Sequence, residues 1–569
     1  MRTVEYSRLS ERHGEWVEAR SRRIEAALYG IAVLAALATA SVQDDAFISF
    51  RYARNLSQGH GLVFNAGERV EGYTNFLWTW LMSVPERFGW SSAGFSIAIT
   101  VPLMVVTLAL ALRFARKVLG NETLALLAGA ALVANMTFIG YGTSGLETML
   151  QAMLVTGVAL ALVPYAGDPS ALGRVVAGVL GGLAILTRID SSVVVGAWCL
   201  VHLWWLWRRR GEPVAKVVLA AVQIGVPMVA VVAPWLVWKH GYYDALFPNT
   251  LQAKAWSNHW VPFLFGIGYL LGFFAAYAAF VLIGRWRRAR GTFPAAHAWA
   301  LAAVVVAWFL YICWVGADFM EFRFMMPVLP ILVLVAAWLL DHYRTPRRQV
   351  GLAAFLLFVS ALHAVLIIPF PVFSFQELKH WPDDNPNSWQ AFGEMLHREF
   401  PGGVAAPGQP VMAIIPAGVV PYYAQLPMVD MLGLNDRETA VHGLDYPFYF
   451  PGHVRTSTIA YLERRHVSII LGSMRDTLVD PARTSYHLSE VLDIYPAGDL
   501  RNLPSTAKLL EIPTGTPGRA WRFISLQRDT KVDAAIAKHR WRLLPIDRRC
   551  DTANMDFLTR TFGQRGCPT

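Results

Sequence analysis

The chain has 569 residues, 55% of them hydrophobic and only 16% charged, with a net charge of +10. A soluble domain carries about 25% charged residues, so this composition excludes an ordinary soluble protein and fits a membrane protein. In that setting the basic excess reads as topology, and nucleic acid is excluded as its purpose.

Residues 1–23 are polar and basic, a cytoplasmic N-terminal tail. The apolar run Ile24–Val42 follows Arg20, Arg22 and Arg23. It is long enough to cross a bilayer, which takes about 20 residues. No small-residue cleavage site follows it, so it reads as a retained anchor. Further apolar windows lie at 95–115, 122–139, 145–164, 171–187, 190–207, 214–238, 260–284, 296–315, 322–341 and 350–369. Together they give about eleven transmembrane helices within a module at 24–369. Asn75–Phe88 is apolar but short, with Pro85, Glu86 and Arg87 near its end, and reads as a juxtamembrane helix inside a first outer loop at 43–94.

Charge placement tests this scheme. Arg113, Arg116, Lys117, Arg174, Arg208, Arg209, Arg210, Lys216, Arg285, Arg287, Arg288, Arg290, Arg344, Arg347 and Arg348 fall on one side. The short loops of the other side receive only Arg188, Lys239, Lys254 and Arg323. Lys and Arg of short loops stay in the cytoplasm. The loop 43–94 and everything from residue 370 are therefore expected on the outer face of the cytoplasmic (inner) membrane. Treating Asn75–Phe88 as a full span would reverse every later loop.

Residues 370–569 change in composition and contain no further spanning run. Val411–Ile415, Met428–Met431, Val467–Leu471 and Trp521–Leu526 read as strands, and Ser388–Glu399 and Thr458–Arg465 as helices. That alternation predicts a C-terminal extracytoplasmic α/β domain. Cys199 and Cys313 lie in apolar runs and read as small buried residues. Cys550 and Cys567 lie in a polar region that, if outside the cytoplasm, permits a disulfide between them.

Sorted by side, the hydrophilic residues of the outer face form one group: Asp44, Asp45, Arg51, His60, Glu71, Glu147, Arg188, Asp190, Asn249, Lys254, Asp318 and Arg323. Charges at membrane depth are costly and usually face a cavity with partners. Adjacent carboxylates repel unless a cation or a shared proton relieves them. One acid of the Asp44–Asp45 pair suits general-base work on an acceptor hydroxyl. The other suits a divalent cation (Mg2+, Mn2+ or Ca2+) held against a phosphate. Arg51, Arg188, Lys254 and Arg323 are phosphate-clamp candidates. Each residue also has a plain reading: a solvated helix end at Asp44–Asp45, an ion pair between Arg188 and Asp190, another between Asp318 and Arg323, a loop residue at His60, a turn at Asp430.

The stretch Asp44-Asp45-Ala-Phe-Ile-Ser-Phe-Arg-Tyr-Ala-Arg-Asn55, with Gly59-His-Gly-Leu-Val-Phe-Asn-Ala-Gly-Glu-Arg-Val-Glu-Gly-Tyr-Thr-Asn75, resembles the AftB-like terminal arabinofuranosyltransferases and the wider bacterial set that includes ZomB-like proteins. Ser144–Thr148, Thr187–Asp190, Phe247–Lys254, Asp318–Arg323 and Val429–Asp436 are similar as well. The resemblance implies an α-helical polytopic membrane protein of the GT-C type, with Asp44 or Asp45 as the acid/base residue. It also implies a polyprenyl-phosphate sugar donor, decaprenyl-phosphoryl-arabinofuranose in AftB, and a cell-envelope glycan acceptor, which is arabinan there. Two other classes compete: a transporter or flippase of a lipid-linked sugar, and a non-catalytic motility or assembly factor. A transporter ordinarily shows internal repeats and midplane charges; neither is found in this sequence.

Overall fold

The computed structural model describes residues 2–163, 170–254, 260–283, 295–340, 346–366, 372–373, 387–472, 476–496 and 499–548. Cys550, Cys567, Arg285, Arg287, Arg288, Arg290 and Arg344 lie outside the described residues, and the expected disulfide with them. In chain order the helices up to residue 366 are α1 (Arg2–Ala38), α2 (Asp44–Ser57), α3 (Phe76–Arg87), α4 (Ser92–Leu119), α5 (Glu122–Ala134), α6 (Met136–Tyr141), α7 (Thr148–Leu162), α8 (Ala171–Thr187), α9 (Ser191–Arg208), α10 (Val214–Tyr243), α11 (Asn249–Ala253), α12 (Trp260–Ile283), α13 (Ala295–Val315), α14 (Leu329–Leu339) and α15 (Pro346–Leu366).

Among the described residues, each apolar window read from the sequence is mostly helix. The window 122–139 is broken at Asn135, whose side chain accepts the Phe138 N–H and so caps α6. The window 322–341 opens with a single turn at Arg323–Met325 before α14 begins. By length and composition, α4, α10 and His297–Val315 within α13 are each able to cross a bilayer.

The chain forms two compact units built from interleaved segments. The first comprises Met1–Ser41, Ser96–Trp235 and Phe263–Phe375 and is helical. Its helices approach closely where side chains are absent. A Cβ on Gly178 would stand 3.1 Å from the Ile224 carbonyl carbon, and one on Gly182 2.8 Å from Val231 Cβ. Small residues at such crossings are the usual means of packing helices in lipid. On its other side α10 exposes Val218, Leu219, Val222, Val226 and Val229. An apolar face of that size suits hydrocarbon surroundings better than water.

The second unit comprises Val42–Phe95, Leu236–Pro262 and Gln376–Thr569. Its strands are β1 (Val411–Ile414), β2 (Met428–Asp430), β3 (Leu444–Phe450), β4 (His453–Thr456), β5 (Val467–Leu471), β6 (Asp476–Leu478), β7 (Tyr486–His487), β8 (Lys508–Pro513), β9 (Arg519–Ser525) and β10 (Arg542–Asp547). The main sheet runs β2-β1-β5-β9-β8-β10-β7, with β6 paired to β9, while β3 and β4 form a separate hairpin. Strands β1, β2 and β5 are parallel, and β5, β9, β8 and β10 alternate in direction. The strands and helices expected here from the sequence are found, with the helices at Trp389–Glu399 and Ile459–Arg464.

Alternation along β1 sends Met412 and Ile414 to one face and Ala413 to the other. The first face is covered by Phe392 and Leu396 from the helix Trp389–Glu399. It is also covered by Ile48, Tyr52, Leu62, Phe64 and Tyr73. The segment carrying the paired aspartates is thus part of the core of the α/β unit. It is also helical: α2 places Phe47, Phe50, Arg51 and Ala53 in the interior.

Candidate functional site

Asp44 and Asp45 occupy the first turn of α2, where the helix dipole favours negative charge. Both are half-buried. The Val419 N–H donates to Asp44 Oδ1 at 2.7 Å. Burial lifts the Asp44 carboxyl to about 7; the Val419 N–H opposes the shift and the charge of Asp45 adds to it. Gly418 makes this fit possible. A Cβ there would stand 2.6 Å from the Asp44 carbonyl carbon and 2.8 Å from its carboxyl carbon, and nearer still to its carbonyl oxygen. Neither Gly418 nor Val419 is marked by any motif in the sequence.

Arg51 is buried and occupied. Its Nε–H donates to Phe64 O at 2.7 Å, Nη1 to Pro421 O at 2.5 Å, and Nη2 to Leu426 O at 2.7 Å and Asn65 Oδ1 at 3.1 Å. A guanidinium spent on three backbone carbonyls is a tie that sets the loop Phe64–Asn65 against residues 421–426. It is not an open phosphate clamp. Asn249 does similar work: its Nδ2 donates to Gly433 O at 2.7 Å and Leu434 O at 3.1 Å, and its N–H to Glu71 O at 3.0 Å. Glu71 pairs with Lys239 at 2.7 Å in the interior, with both side chains nearly inaccessible. Burial raises the Glu71 carboxyl to about 7 even against that ammonium. Lys254 stands exposed at the end of α11. His60 lines a cavity with Gln58 and His397. Asp430 accepts the Leu432 and Asn435 N–H groups and the Asn435 amide, which is its turn role, and burial lifts it to about 6. Tyr422 donates to Glu86 Oε1 and packs edge-on against Phe47.

In the first unit, residues far apart in sequence meet. Glu147 Oε1 accepts Arg188 Nη1 at 2.9 Å and Arg323 Nη2 at 2.6 Å. Arg188 also pairs with Asp190 at 2.6 Å, and Arg323 with Asp318 at 3.7 Å. Gln151 Nε2 donates to Asp190 Oδ1 at 3.0 Å, and Tyr311 Oη to its Oδ2 at 3.3 Å. Gln151 and Tyr311 carry no sequence signal beyond being polar atoms in apolar helices. Three carboxylates face two guanidiniums, and Arg323 Nε is buried without a hydrogen-bond partner among the described residues.

Four likenesses bear on this geometry. The family model described as Domain of unknown function (DUF8728) matches residues 384–521, about a quarter of the chain. The crystal structure of ArnT from Cupriavidus metallidurans bound to undecaprenyl phosphate aligns with a TM-score of 0.51 at 15% identity, over 90% of this chain and 98% of that one. The fold is of the GT-C type. A GT-C fold with long apolar helices makes this a multi-pass membrane protein. Two curated relatives are named terminal beta-(1->2)-arabinofuranosyltransferase. The Mycobacterium tuberculosis protein is 28% identical over 268 residues, 42% of this chain and 39% of its own length. The Corynebacterium glutamicum protein is 27% identical over 336 residues, 52% of this chain and 47% of its own. The matched part thus spans less than half the length of either relative. The sequence resemblance to this group of GT-C proteins is borne out.

Proposed function

We propose that this chain is a membrane glycosyltransferase that moves a sugar, arabinofuranose in the reading favoured here, from a polyprenyl-phosphate donor to a cell-envelope glycan on the outer face of the membrane. The observation that carries the proposal is the Asp44–Asp45 pair. Asp44 is oriented by a backbone N–H and desolvated until its carboxyl titrates near 7. A general base works best when its pKa lies near the operating pH. The names of the two relatives support the sugar, and the undecaprenyl phosphate bound to ArnT supports the class of donor.

In the proposed reaction, one aspartate of the pair takes the proton of an acceptor hydroxyl. That oxygen forms a bond to the anomeric carbon, and the bond from this carbon to the phosphate oxygen breaks. The electron pair leaves with the polyprenyl phosphate. Lys254, which belongs to the same unit as the aspartate pair, is assigned to the anionic donor. The two carboxylates offer the hard oxygen ligands a divalent cation takes, but fewer than the six or more that Mg2+ or Ca2+ requires. Among the described residues no group of three or more His, Cys, Asp or Glu assembles around them. A Mg2+, Mn2+ or Ca2+ ion therefore fits the pair only with donor phosphate oxygens and water completing its shell, and there it would neutralise phosphate charge.

The test is mass spectrometry of envelope glycans from a deletion strain complemented with wild type, Asp44→Asn or Asp45→Asn. Loss of a terminal pentose in the deletion, restored by wild type and not by at least one Asn variant, is the expected result. Unchanged glycans in the deletion, or full restoration by both variants, would refute the proposal.

A further inference from the structure

Gln58, His60, His397, Gly402, Gly403 and Gln425 line a cavity of about 480 Å³ in the second unit. Small-molecule sites occupy about 300–1,000 Å³, so the volume suits a ligand of one to a few rings. Neither Asp44 nor Asp45 contributes to its wall. Gln58 terminates α2 and Asp44 begins it. Fourteen residues at about 1.5 Å each put the cavity about 20 Å along the helix from the aspartate pair.

The lining narrows the ligand. Among the described residues it offers no guanidinium, ammonium or carboxylate, which disfavours a phosphate or a hard cation as the natural occupant. Its polar side chains are amides and imidazoles, which present donors and acceptors close together and match neighbouring hydroxyls. The side chains of Gln58, His60 and Gln425 make no hydrogen bond to another protein group among the described residues. His397 Nδ1 is buried without a partner. A buried polar atom left unmade costs about as much as a lost hydrogen bond, and here that is His397 Nδ1; Gln58 is exposed and His60 and Gln425 are half-buried, so their polar ends stand open to a ligand. Gly402 and Gly403, both at positive φ, bring bare backbone to the rim.

We infer that this cavity is a saccharide subsite that holds an interior part of the acceptor glycan while its reactive end lies at the aspartate pair. This rests on the proposed glycosyltransferase activity and adds a second, distant point of acceptor recognition. The consequence is a dependence on acceptor length. A disaccharide cannot reach from Asp44 to Gln58, whereas a long oligosaccharide spans the helix and gains the extra hydrogen bonds.

The experiment uses the full chain in nanodiscs with three variants: Gln58→Ala, His397→Ala and Ala405→Trp. Ala405 is an exposed lining residue, so its Trp variant fills the cavity and leaves every polar group in place. Two measurements are made with arabinofuranose oligosaccharides, one short and one long: direct binding by calorimetry without donor, and steady-state transfer. Each variant is expected to weaken binding of the long oligosaccharide and raise its KM about fivefold, the value of one hydrogen bond. Its kcat, and KM for the short acceptor, stay at wild-type values. Equal long-acceptor binding in wild type and the Trp variant would overturn the inference while leaving transfer intact. Absence of transfer by wild type with either acceptor would refute the enzyme assignment instead, and the binding measurement would still decide the cavity.

Discussion

Gly418→Ala is the most incisive perturbation, because it adds one methyl group and leaves both aspartates in the chain. The new Cβ would stand 2.6 Å from the Asp44 carbonyl carbon and 2.8 Å from its carboxyl carbon. Ordinary carbon contacts begin near 3.4 Å. The nearest atom, the Asp44 carbonyl oxygen, demands more movement than these carbons do, so Asp44 and residue 418 must separate on the order of 1 Å. Main chain cannot swing aside as a side-chain tip can, and the Val419 N–H bond to Asp44 Oδ1 is lost or lengthened in the process. Overpacking of this kind costs about 1–3 kcal/mol of stability, leaving a folded protein. A misplacement of about 1 Å in a reacting group costs about a hundredfold in rate. Transfer from a polyprenyl-phosphate sugar to an oligosaccharide acceptor, followed by radiolabel or mass spectrometry, should therefore fall about a hundredfold in kcat. Thermal unfolding in detergent should move only a few degrees. Wild-type kcat in Gly418→Ala would show that the Asp44 carboxylate need not be held where Val419 holds it, and the reasoning from this clamp to catalysis would fail.

Asp44→Asn gives a signature in pH. Burial lifts this carboxyl from 3.8 to about 7, so the folded state binds the proton more tightly than the unfolded chain. Its stabilising contribution is full below about 4 and is lost as the pH rises to about 7. The melting temperature of the Asn variant should gain on that of wild type across this window and run parallel above it. A constant gap measured by scanning fluorimetry would refute the shift. The deprotonated aspartate is the base, so wild-type transfer should rise with pH through about 7. Glu147→Gln removes the carboxylate shared by two guanidiniums, whose own side chain is 1% exposed. Leaving buried cations without their partner costs about 3–5 kcal/mol, visible as a large loss of thermal stability. A shift within experimental error would mean that Asp190 and Asp318 suffice to hold Arg188 and Arg323.

These cases separate what the sequence carries locally from what it carries only through folding. A spanning helix announces itself within about 20 residues, so α8, α9 and α12 are legible as windows. So is the short apolar strand Val467–Leu471, because its bounding residues break the run. The Arg188–Asp190 pair is legible because its members stand two residues apart. Its link to Glu147 is not, since that partner lies 41 residues away. Arg51 makes the limit plain. Before folding it is a cation beside two acids, indistinguishable from a phosphate ligand. Its actual acceptors, Pro421 O and Leu426 O, lie 370 and 375 residues further on. They are backbone atoms, which no residue pattern can mark. The same holds for α2. Its apolar face is a poor helix signal in isolation, because the surface that stabilises it is the sheet made by β1, β5, β9 and β8. The aspartate pair was findable from its place after an apolar run, whereas its orientation depends on Gly418 and Val419. A missing side chain and a backbone N–H are the two features a sequence motif conveys least, and at this site they determine where the carboxylate points.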